Sequence, residues 1–226
     1  AGLCRTAAFF VDAFYRDYKA EAVLTQDQRN RLGGEQYVDM RQRYGNYISL
    51  PSAMLIARGD DGEIMGCAGV EIALVNPNNK IMPKTKQNLD ACYDLRPLLA
   101  NVAVSPESRG RGLGKQLCQA CEDTVRSWGY EELLLLVEAE NTPALRLYKK
   151  LGYSEVWRDN EATASKAVAY AGGAALQKVL QPLASPSSPY PTLTSDASIQ
   201  VTVTNIAMRK DLNKKPGMFG LGMFGL

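Results

Sequence analysis

The spacing of apolar residues predicts two helices and a hairpin in the first third of the chain. Over 6–19 the apolar side chains recur at helical spacing and predict an amphipathic helix (Ala7, Phe10, Val11, Phe14, Tyr15 and Tyr18). Thr25 and Gln28 fit a capping box, which predicts a second helix running towards Arg43. Strand-like runs at 52–58 and 63–75 flank Gly59-Asp60-Asp61-Gly62 and predict a β-hairpin.

The rest of the chain alternates strands with helices. The polar, proline-containing stretch 76–97 is predicted to be a loop. The elements predicted after it are a strand at 98–104, a helix at 113–128 ended by Gly129, a strand at 131–138 buried on both faces, a helix at 141–151 capped by Asn141 and stopped by Gly152, and strands at 153–158 and 199–209. This order predicts an α/β fold with a central mixed sheet flanked by helices on both faces.

The domain boundaries follow from this order of elements. Residues 1–212 are predicted to form a single domain, and the Ala/Ser/Pro-rich segment 160–197 is a low-complexity insertion before the last strand, with a short helix in its first half. The tail 213–226 contains a five-residue tandem repeat, Gly217–Leu221 and Gly222–Leu226. Its apolar side chains predict a hydrophobic anchor to a partner protein. The alternative is a flexible terminus.

Composition removes several classes of function. The 226 residues are 46% hydrophobic and 22% charged, as in ordinary globular proteins. Histidine is absent, which excludes Ser-His-Asp and Cys-His nucleophile pairs and most catalytic metal sites. A net charge of +2 gives no reason to expect a nucleic-acid partner. The longest apolar run, 133–137, is too short to span a membrane.

The five cysteines favour a reducing compartment. Their number is odd and they are scattered, unlike a secreted disulfide framework. Cys118 and Cys121 have CxxC spacing but lie within a predicted helix, with no second CxxC and no histidine to complete a zinc site. They are interpreted as packed helix residues, and no metal is predicted.

The stretch Arg109-Gly-Arg-Gly-Leu-Gly-Lys-Gln116 joins a predicted strand to a predicted helix. A glycine turn of this kind, with cations at a helix start, is typical of phosphate sites. The P-loop pattern requires a glycine where Arg109 stands and a hydroxyl where Gln116 stands, and the Rossmann spacing also fails because Gly110, Gly112 and Gly114 are two apart. Taken alone, a purely structural turn remains open.

Two motifs together resemble the GNAT superfamily of N-acetyltransferases. Residues 109–114 resemble its [QR]xxGx[GA] pyrophosphate loop, and Asn141 to Tyr153 resembles its NxxAxxLYxxxGF signature. The resemblance covers about 48–159, with a weaker match at 201–212. The long insertion before the last strand resembles plastid members that acetylate protein N-termini and lysines, which implies a chloroplast stroma.

The resemblance implies how acetyl-CoA, the acetyl donor, is bound. Backbone groups of the strand before the turn would hydrogen-bond the pantetheine, the glycines would let backbone N–H groups approach the pyrophosphate, and cations would offset its charge. The residues implied are Val102, Ala103, Val104, Arg109, Gly110, Arg111, Gly112, Leu113, Gly114, Lys115, Asn141, Pro143, Ala144 and Tyr148. For Lys115 a solvated surface position is an equal alternative.

The resemblance also assigns Tyr148 as the proton donor to the departing CoA thiolate. Without the motif, Tyr148 would be read as a core aromatic. Many relatives place a glutamate base at positions that here are Leu98 and Leu136. Glu71 and Glu138 are the substitutes in this sequence, and a water chain is the alternative to both.

The acceptor amine is not specified by any motif. The resemblance favours a protein N-terminus or a lysine side chain. Two alternatives remain: a weakly catalytic acetyl-CoA-binding scaffold within a larger complex, and a small-amine acetyltransferase. Asp60-Asp61-Gly-Glu63 is the only dense acidic cluster for a cationic small amine, and it lies in a predicted turn.

Overall fold

The computed structural model describes residues 2–15, 25–45, 50–76, 81–82, 93–167, 193–195 and 198–213. The elements in these ranges are α1 (Gly2–Tyr15), α2 (Gln26–Tyr44), β1 (Ser52–Arg58), β2 (Ile64–Val75), β3 (Ile81–Met82), β4 (Asp94–Val104), α3 (Leu113–Ser127), β5 (Glu132–Glu138), α4 (Thr142–Lys150), β6 (Ser154–Ala167), β7 (Leu193–Ser195) and β8 (Ser198–Asp211). A short 3-10 turn, Pro106–Ser108, links β4 to α3.

The strands form one mixed sheet. Its order is β1-β2-β4-β5-β8-β6, with β3 beside β2 and β7 beside β8. Only β4 and β5 are parallel; the other described pairs are antiparallel. Parallel neighbours need a crossover, and α3 provides it. The predicted mixed α/β fold is confirmed.

Helices pack on both faces of the sheet. One face carries α3 and α4, whose apolar side chains share a core with Leu133, Leu135 and Val137 of β5. The opposite face carries α1 and α2, which form a second cluster with Cys67 and Ala103. Because side chains alternate along a strand, Leu134 and Leu136 point to the α1/α2 face.

The predicted helix starts and turns agree with the structure. Thr25 Oγ1 accepts a hydrogen bond from Gln28 N, and Thr25 N donates to Gln28 Oε1 (3.3 and 2.9 Å), which completes the capping box of α2. The hairpin between β1 and β2 turns at Gly62, at φ 81°. The first predicted helix is observed as α1, and residues 16–24 lie outside the described residues.

Strand β4 begins at Asp94, although 76–97 was predicted to be a loop. Its pairing continues through Pro97, which lies opposite Ile72. Ile72 donates its N–H to Pro51 O on the β1 side (3.0 Å), so this pair makes no ladder bond between β2 and β4. The imide nitrogen of Pro97 points away from β2, towards the β5 side. The register with β5 begins only at Leu98↔Leu134, so no strand there requires an N–H from Pro97.

Two other expectations are corrected. Strand β6 continues through 160–167, within the predicted insertion, because β8 supplies a partner as far as Ala167↔Ser198. Strand β5 is not buried on both faces, since Leu136 is 39% exposed where no described helix covers it. The remainder of the insertion, apart from β7, and the tail repeat lie outside the described residues.

Candidate active site

Strands β4 and β5 pair briefly and then separate. Their register contains only Leu98↔Leu134 and Leu99↔Leu135. Directly after these pairs β4 bulges, because Ala100 lies opposite Gly69 and Ala103 lies opposite Cys67. The bulge leaves the remaining residues of β4 without a partner on the β5 side, which opens a gap in the sheet.

Asn101 is at the bulge, with φ 53°. Its side-chain Oδ1 accepts a hydrogen bond from the Tyr44 hydroxyl of α2 (2.8 Å), and its carbonyl accepts one from Cys67 Sγ (3.4 Å). Gly69 makes room for this contact, since a Cβ there would collide with the Tyr44 hydroxyl. Burial raises the pKa of Tyr44, which keeps the hydroxyl protonated and able to donate. We call Tyr44, Gly69 and Asn101 the bulge lock.

The bulge lock was missed in the sequence, although one signal was present. Asn101 is the only polar residue in the apolar run 98–104. Asparagine is among the few residues that tolerate a left-handed conformation, so it marks a bend within a strand. Its partners Tyr44 and Gly69 are remote in sequence, and only the packing of α2 on the sheet brings them together.

Two backbone positions of β4 point into the gap. Ser105 donates its N–H to Met65 O of β2 (2.8 Å). Because strand residues alternate, Val104 and Val102 direct their N–H groups away from β2, towards the side that β5 has left. Ala103 pairs with Cys67 of β2 instead, so it separates the two valines. Of the three positions predicted for added-strand binding, Val102 and Val104 are the ones whose N–H groups face the gap.

The glycine turn leaves the first N–H groups of α3 without a side-chain cap. Gly110 and Gly112 have φ of 74° and 84°, and a Cβ on either would meet nothing within 4 Å. Gly112 is the N-cap residue and supplies no side-chain hydrogen bond, whereas Thr25 caps α2 and Asn141 caps α4. Uncapped N–H groups at a helix start, with open space before them, suit an anion.

The three predicted phosphate cations differ in their surroundings. Arg109 donates from Nε to Val104 O (3.1 Å) and from Nη2 to Ala13 O (2.9 Å), so its guanidinium fastens the turn to β4 and α1. Partial burial lowers the pKa of Arg109. Arg111 and Lys115 are exposed at the start of α3. Within the described part of the chain, neither of these two side chains makes a hydrogen bond or ion pair that would compete with a phosphate.

Three elements meet at Gly114. A Cβ there would lie 3.5 Å from Leu147 Cδ2 of α4 and 3.7 Å from Val104 Cγ2 of β4. Leu113, next to it, packs towards Gly66 of β2. The second sequence motif is thereby brought against the glycine turn. Asn141 accepts from Ala144 N (3.2 Å), so its side chain has a capping function, and Pro143 is exposed in the first turn of α4.

Tyr148 is buried within the core between α3, α4 and the sheet. Only 7% of it is exposed, and its ring meets Tyr153 edge-on at 5.8 Å. Burial, followed by the nearby Cys118 and Cys121, raises the pKa of Tyr148. A raised pKa keeps the phenol protonated, as a proton donor requires.

The two candidate bases have different environments. Glu71 is 3% exposed, and its Oε1 accepts from Arg43 Nη1 at 2.6 Å. Burial disfavours the charged form of Arg43, but Asp39 and Glu71 outweigh that effect and raise its pKa. This pairing fits a structural carboxylate. Glu138 is half-buried at the end of β5, opposite Asn205 of β8.

A cleft of about 200 Å³ opens on the α1/α2 face, below the point where β4 and β5 separate. The buried Leu98 and Leu134 form its floor, the exposed Leu136 is at its edge, and Trp157, Arg96 and Arg209 also line it. Leu98 and Leu136 are the two positions where the resemblance expects a base. No Asp or Glu is among the described residues that line the cleft.

A buried ion pair next to the site was also missed. Lys210 Nζ lies 2.6 Å from Glu122 Oε2, with the side chains 17% and 4% exposed. Lys210 also lies over the Tyr153 ring, 5.7 Å from its centre. The pair joins α3 to β8 behind Tyr148. Its members are 88 residues apart in sequence, so no local pattern marks them.

Membrane-spanning helices and clusters of metal ligands are absent from the described residues. No described helix combines the length and the apolar character needed to cross a membrane. No group of three or more cysteine, aspartate or glutamate side chains in these residues is arranged to hold a metal ion.

Comparison with known proteins identifies the family. The model of the Acetyltransferase (GNAT) family matches residues 12–153. A mycothiol acetyltransferase of Saccharomonospora viridis is 31% identical over 106 residues, which are 46% of this chain and 30% of that protein. N-alpha-acetyltransferase 30 of Schizosaccharomyces pombe is 34% identical over 68 residues, 30% of this chain and 45% of that protein. The chain thus spans less than half of either relative.

The fold is supported by a solved structure of the same family. A GNAT-family protein of Desulfovibrio desulfuricans superposes with a TM-score of 0.51 at 13% identity and covers 92% of both chains. The acetyltransferase yncA of Salmonella typhimurium, solved with its cofactor acetyl-CoA, gives a TM-score of 0.46 at 15% identity and covers 95% of this chain and 92% of its own. Because the family model matches more than half of the chain, this protein belongs to the acetyltransferase (GNAT) family, whose acetyl donor is acetyl-CoA.

Proposed function

We propose that this protein transfers the acetyl group of acetyl-CoA to a protein amine, by direct attack of the amine on the thioester. One observation carries the proposal: the gap between β4 and β5 begins at the bulge and ends at the uncapped glycine turn of α3. An elongated ligand with an anionic end fits this path. Edge-strand hydrogen bonds are available along it, and a helix start lies at its end.

The residues that would hold the donor follow the same path. Val102 and Val104 offer N–H groups to the amides of the pantetheine, and the α3 N–H groups at Gly112 to Lys115 offer donors to the pyrophosphate. Arg111 and Lys115 add positive charge, and Arg109 holds the turn in place. Acetyl-CoA, when bound, supplies an activated acyl thioester. The chain supplies orientation, hydrogen bonds and a proton.

The proton donor is Tyr148, whose burial keeps it protonated. The two candidates for the base are Glu71 and Glu138. Glu71 is engaged with Arg43, so we assign it to the structure that supports the site. Glu138 is on the same face of β5 as Leu134 and Leu136, and we assign proton acceptance from the amine to Glu138 or to a water held at this end of the strand.

A protein amine is favoured over a small cationic amine. The relative named N-alpha-acetyltransferase 30 supports a protein N-terminus as the acceptor. The described lining of the cleft contains two arginines and no carboxylate, which opposes a polyamine. The mycothiol acetyltransferase match supports a small-molecule acceptor as the second candidate. The presence of Tyr148 in the second motif supports an active enzyme over a scaffold without activity.

Two further parts of the proposal concern context. We assign the protein to the chloroplast stroma, to be tested by locating a fluorescent fusion of the full-length precursor in plant cells. We assign the tail repeat, residues 217–226, as an anchor to a partner protein. Deleting it should preserve acetylation of free peptides while removing co-purification with the partner; loss of peptide activity, or unchanged co-purification, contradicts the anchor.

The donor site is tested by Gly112→Glu. The substitution places a carboxylate where backbone meets pyrophosphate, so calorimetry should detect no acetyl-CoA binding, and acetylation of a peptide library should cease. The matched control is Gly62→Glu, which imposes the same backbone strain at φ 81° in the β1–β2 turn. Equal acetyl-CoA affinity in the two variants would remove the donor site from the glycine turn.

A further inference from the structure

The cleft on the α1/α2 face adjoins the proposed donor path from the opposite side of the sheet. Its floor includes Leu98 and Leu134, a register pair at the base of the gap. An amine held in this cleft therefore approaches the end of the gap without crossing the space taken by the donor. This further step rests on the proposed acetyl transfer and concerns which amine the cleft selects.

The floor of the cleft selects an apolar group. Leu98 and Leu134 are 5% and 8% exposed, whereas Leu136 and Val156 at its edge are 39% and 45% exposed. Leu136 and Val156 lose water-accessible apolar area when another apolar side chain covers them. A hydrophobic side chain on the Cα that bears the reacting amine would cover this apolar surface. A free protein N-terminus whose first residue is apolar has this arrangement.

The rim of the cleft selects the charge of the next residues. Glu132 is held by Arg96 in a two-point ion pair, with Nε–Oε1 at 2.7 Å and Nη2–Oε2 at 2.9 Å. Arg209 reaches the same carboxylate only at 3.7 Å, and its side chain is 50% exposed. Glu132 does not line the cleft, whereas both arginines do, and no acidic residue is among its described lining.

Arg209 is the lining arginine whose guanidinium makes no hydrogen bond to Glu132. It lies on β8 directly opposite Leu134. Its 3.7 Å contact with Glu132 is too long for a hydrogen bond, so its N–H donors remain available to a ligand carboxylate. We infer that the preferred acceptor is a protein N-terminus whose first residue is apolar and whose second or third residue is acidic, with Arg209 binding that acidic side chain.

The inference is tested with peptides that differ at one position. Release of CoA thiol is measured for free N-terminal peptides beginning Met-Glu, Met-Lys and Ser-Glu, and for an N-terminally blocked peptide with one internal lysine. Met-Glu should exceed Met-Lys about tenfold in kcat/KM at low salt, and added salt should narrow the difference. Met-Glu should also exceed Ser-Glu, and the blocked lysine peptide should be the poorest acceptor.

Variants connect the preference to Arg209. Arg209→Met should bring Met-Glu and Met-Lys to nearly equal kcat/KM, and Arg209→Glu should invert their order. Arg158→Met on the neighbouring strand is the matched control; Arg158 is exposed, pairs with Glu155 and does not line the cleft. It should keep the wild-type preference. Thermal melts establish that each variant is folded.

The possible results distinguish a failure of the proposed acetyl transfer from a failure of the inferred acceptor preference. If neither peptides nor small amines are acetylated, the proposed function fails. If peptides are acetylated but Met-Glu has no advantage, or if Arg209→Met keeps that advantage, the transfer reaction stands and the inference about its acceptor is overturned. Preference for the internal lysine would also overturn it.

Discussion

Tyr44→Phe tests whether the bulge lock shapes the donor site. The substitution removes one hydroxyl and leaves Asn101 Oδ1, which accepts from it at 2.8 Å, without that partner. Leaving a buried acceptor unpaired costs about 1–3 kcal/mol. Because Asn101 is half-buried and water can partly replace the bond, we expect a loss of about 1–2 kcal/mol in the free energy of unfolding, seen as a fall in Tm of roughly 2–8 °C.

The effect on acetyl-CoA follows from the same energy. Coupling between the lock and the donor site cannot exceed what the lock contributes, and about 1.4 kcal/mol corresponds to a tenfold change in affinity. Calorimetry should therefore show acetyl-CoA binding weakened by up to roughly tenfold, with a larger effect on KM than on kcat. Replacing Asn101 by glycine in the Tyr44→Phe protein should restore part of the stability, because glycine adopts φ 53° without a side chain that needs a partner.

Gly69→Ala attacks the same lock from the strand. Its Cβ would collide with the Tyr44 hydroxyl, so Tyr44 must leave Asn101 and the loss should exceed that of Tyr44→Phe. The matched control is Gly33→Ala in α2, whose Cβ meets nothing within 4 Å; it should stabilise the protein by about 0.5–1 kcal/mol. If Gly69→Ala behaved like Gly33→Ala, and Tyr44→Phe left both Tm and acetyl-CoA affinity unchanged, the lock would be refuted.

Three other predictions concern the core behind the site. Tyr148→Phe should bind acetyl-CoA nearly as well as wild type and lower the acetyl-transfer rate by about 10- to 1,000-fold; an unchanged rate, with the chemical step limiting, would make Tyr148 a packing residue only. Lys210→Met should cost about 3 kcal/mol in urea unfolding, because it leaves the buried Glu122 with only a 3.9 Å contact to Arg126, while the double variant with Glu122→Gln should recover most of it; a loss below about 1 kcal/mol contradicts this account. Burial raises the pKa of the Cys67 and Cys118 thiols to about 12 and also raises the pKa of the Cys121 thiol. A thiolate-specific reagent at pH 8 should therefore spare these three cysteines and modify the exposed Cys4. Early labelling of the three in the native protein would contradict their burial.

The sequence by itself determined the elements and the family. Helix starts were readable because the signals are local: a capping box at Thr25, an N-cap at Asn141 and glycines at the turns. The resemblance placed residues of both motifs at one acetyl-CoA site, and in the structure the two motifs meet at Gly114. Local signals failed where a distant strand supplies the hydrogen-bond partner. Pro97 is accepted in β4 because its neighbour Ile72 donates its N–H to Pro51 rather than to β4, and the end of β6 is a strand because β8 pairs with it.

Tertiary structure alone decided how the site is built. The two hydrogen bonds of the Arg109 guanidinium exist because α1 and β4 place carbonyl oxygens of Ala13 and Val104 beside it. The ion pair of the candidate base Glu71 with Arg43 exists because α2 packs over β2. The bulge lock, the pair formed by Glu122 and Lys210, and the cleft beside Arg209 each join residues far apart in the chain. Their spacing carries no periodicity, and these contacts exist only once the helices have packed on the sheet.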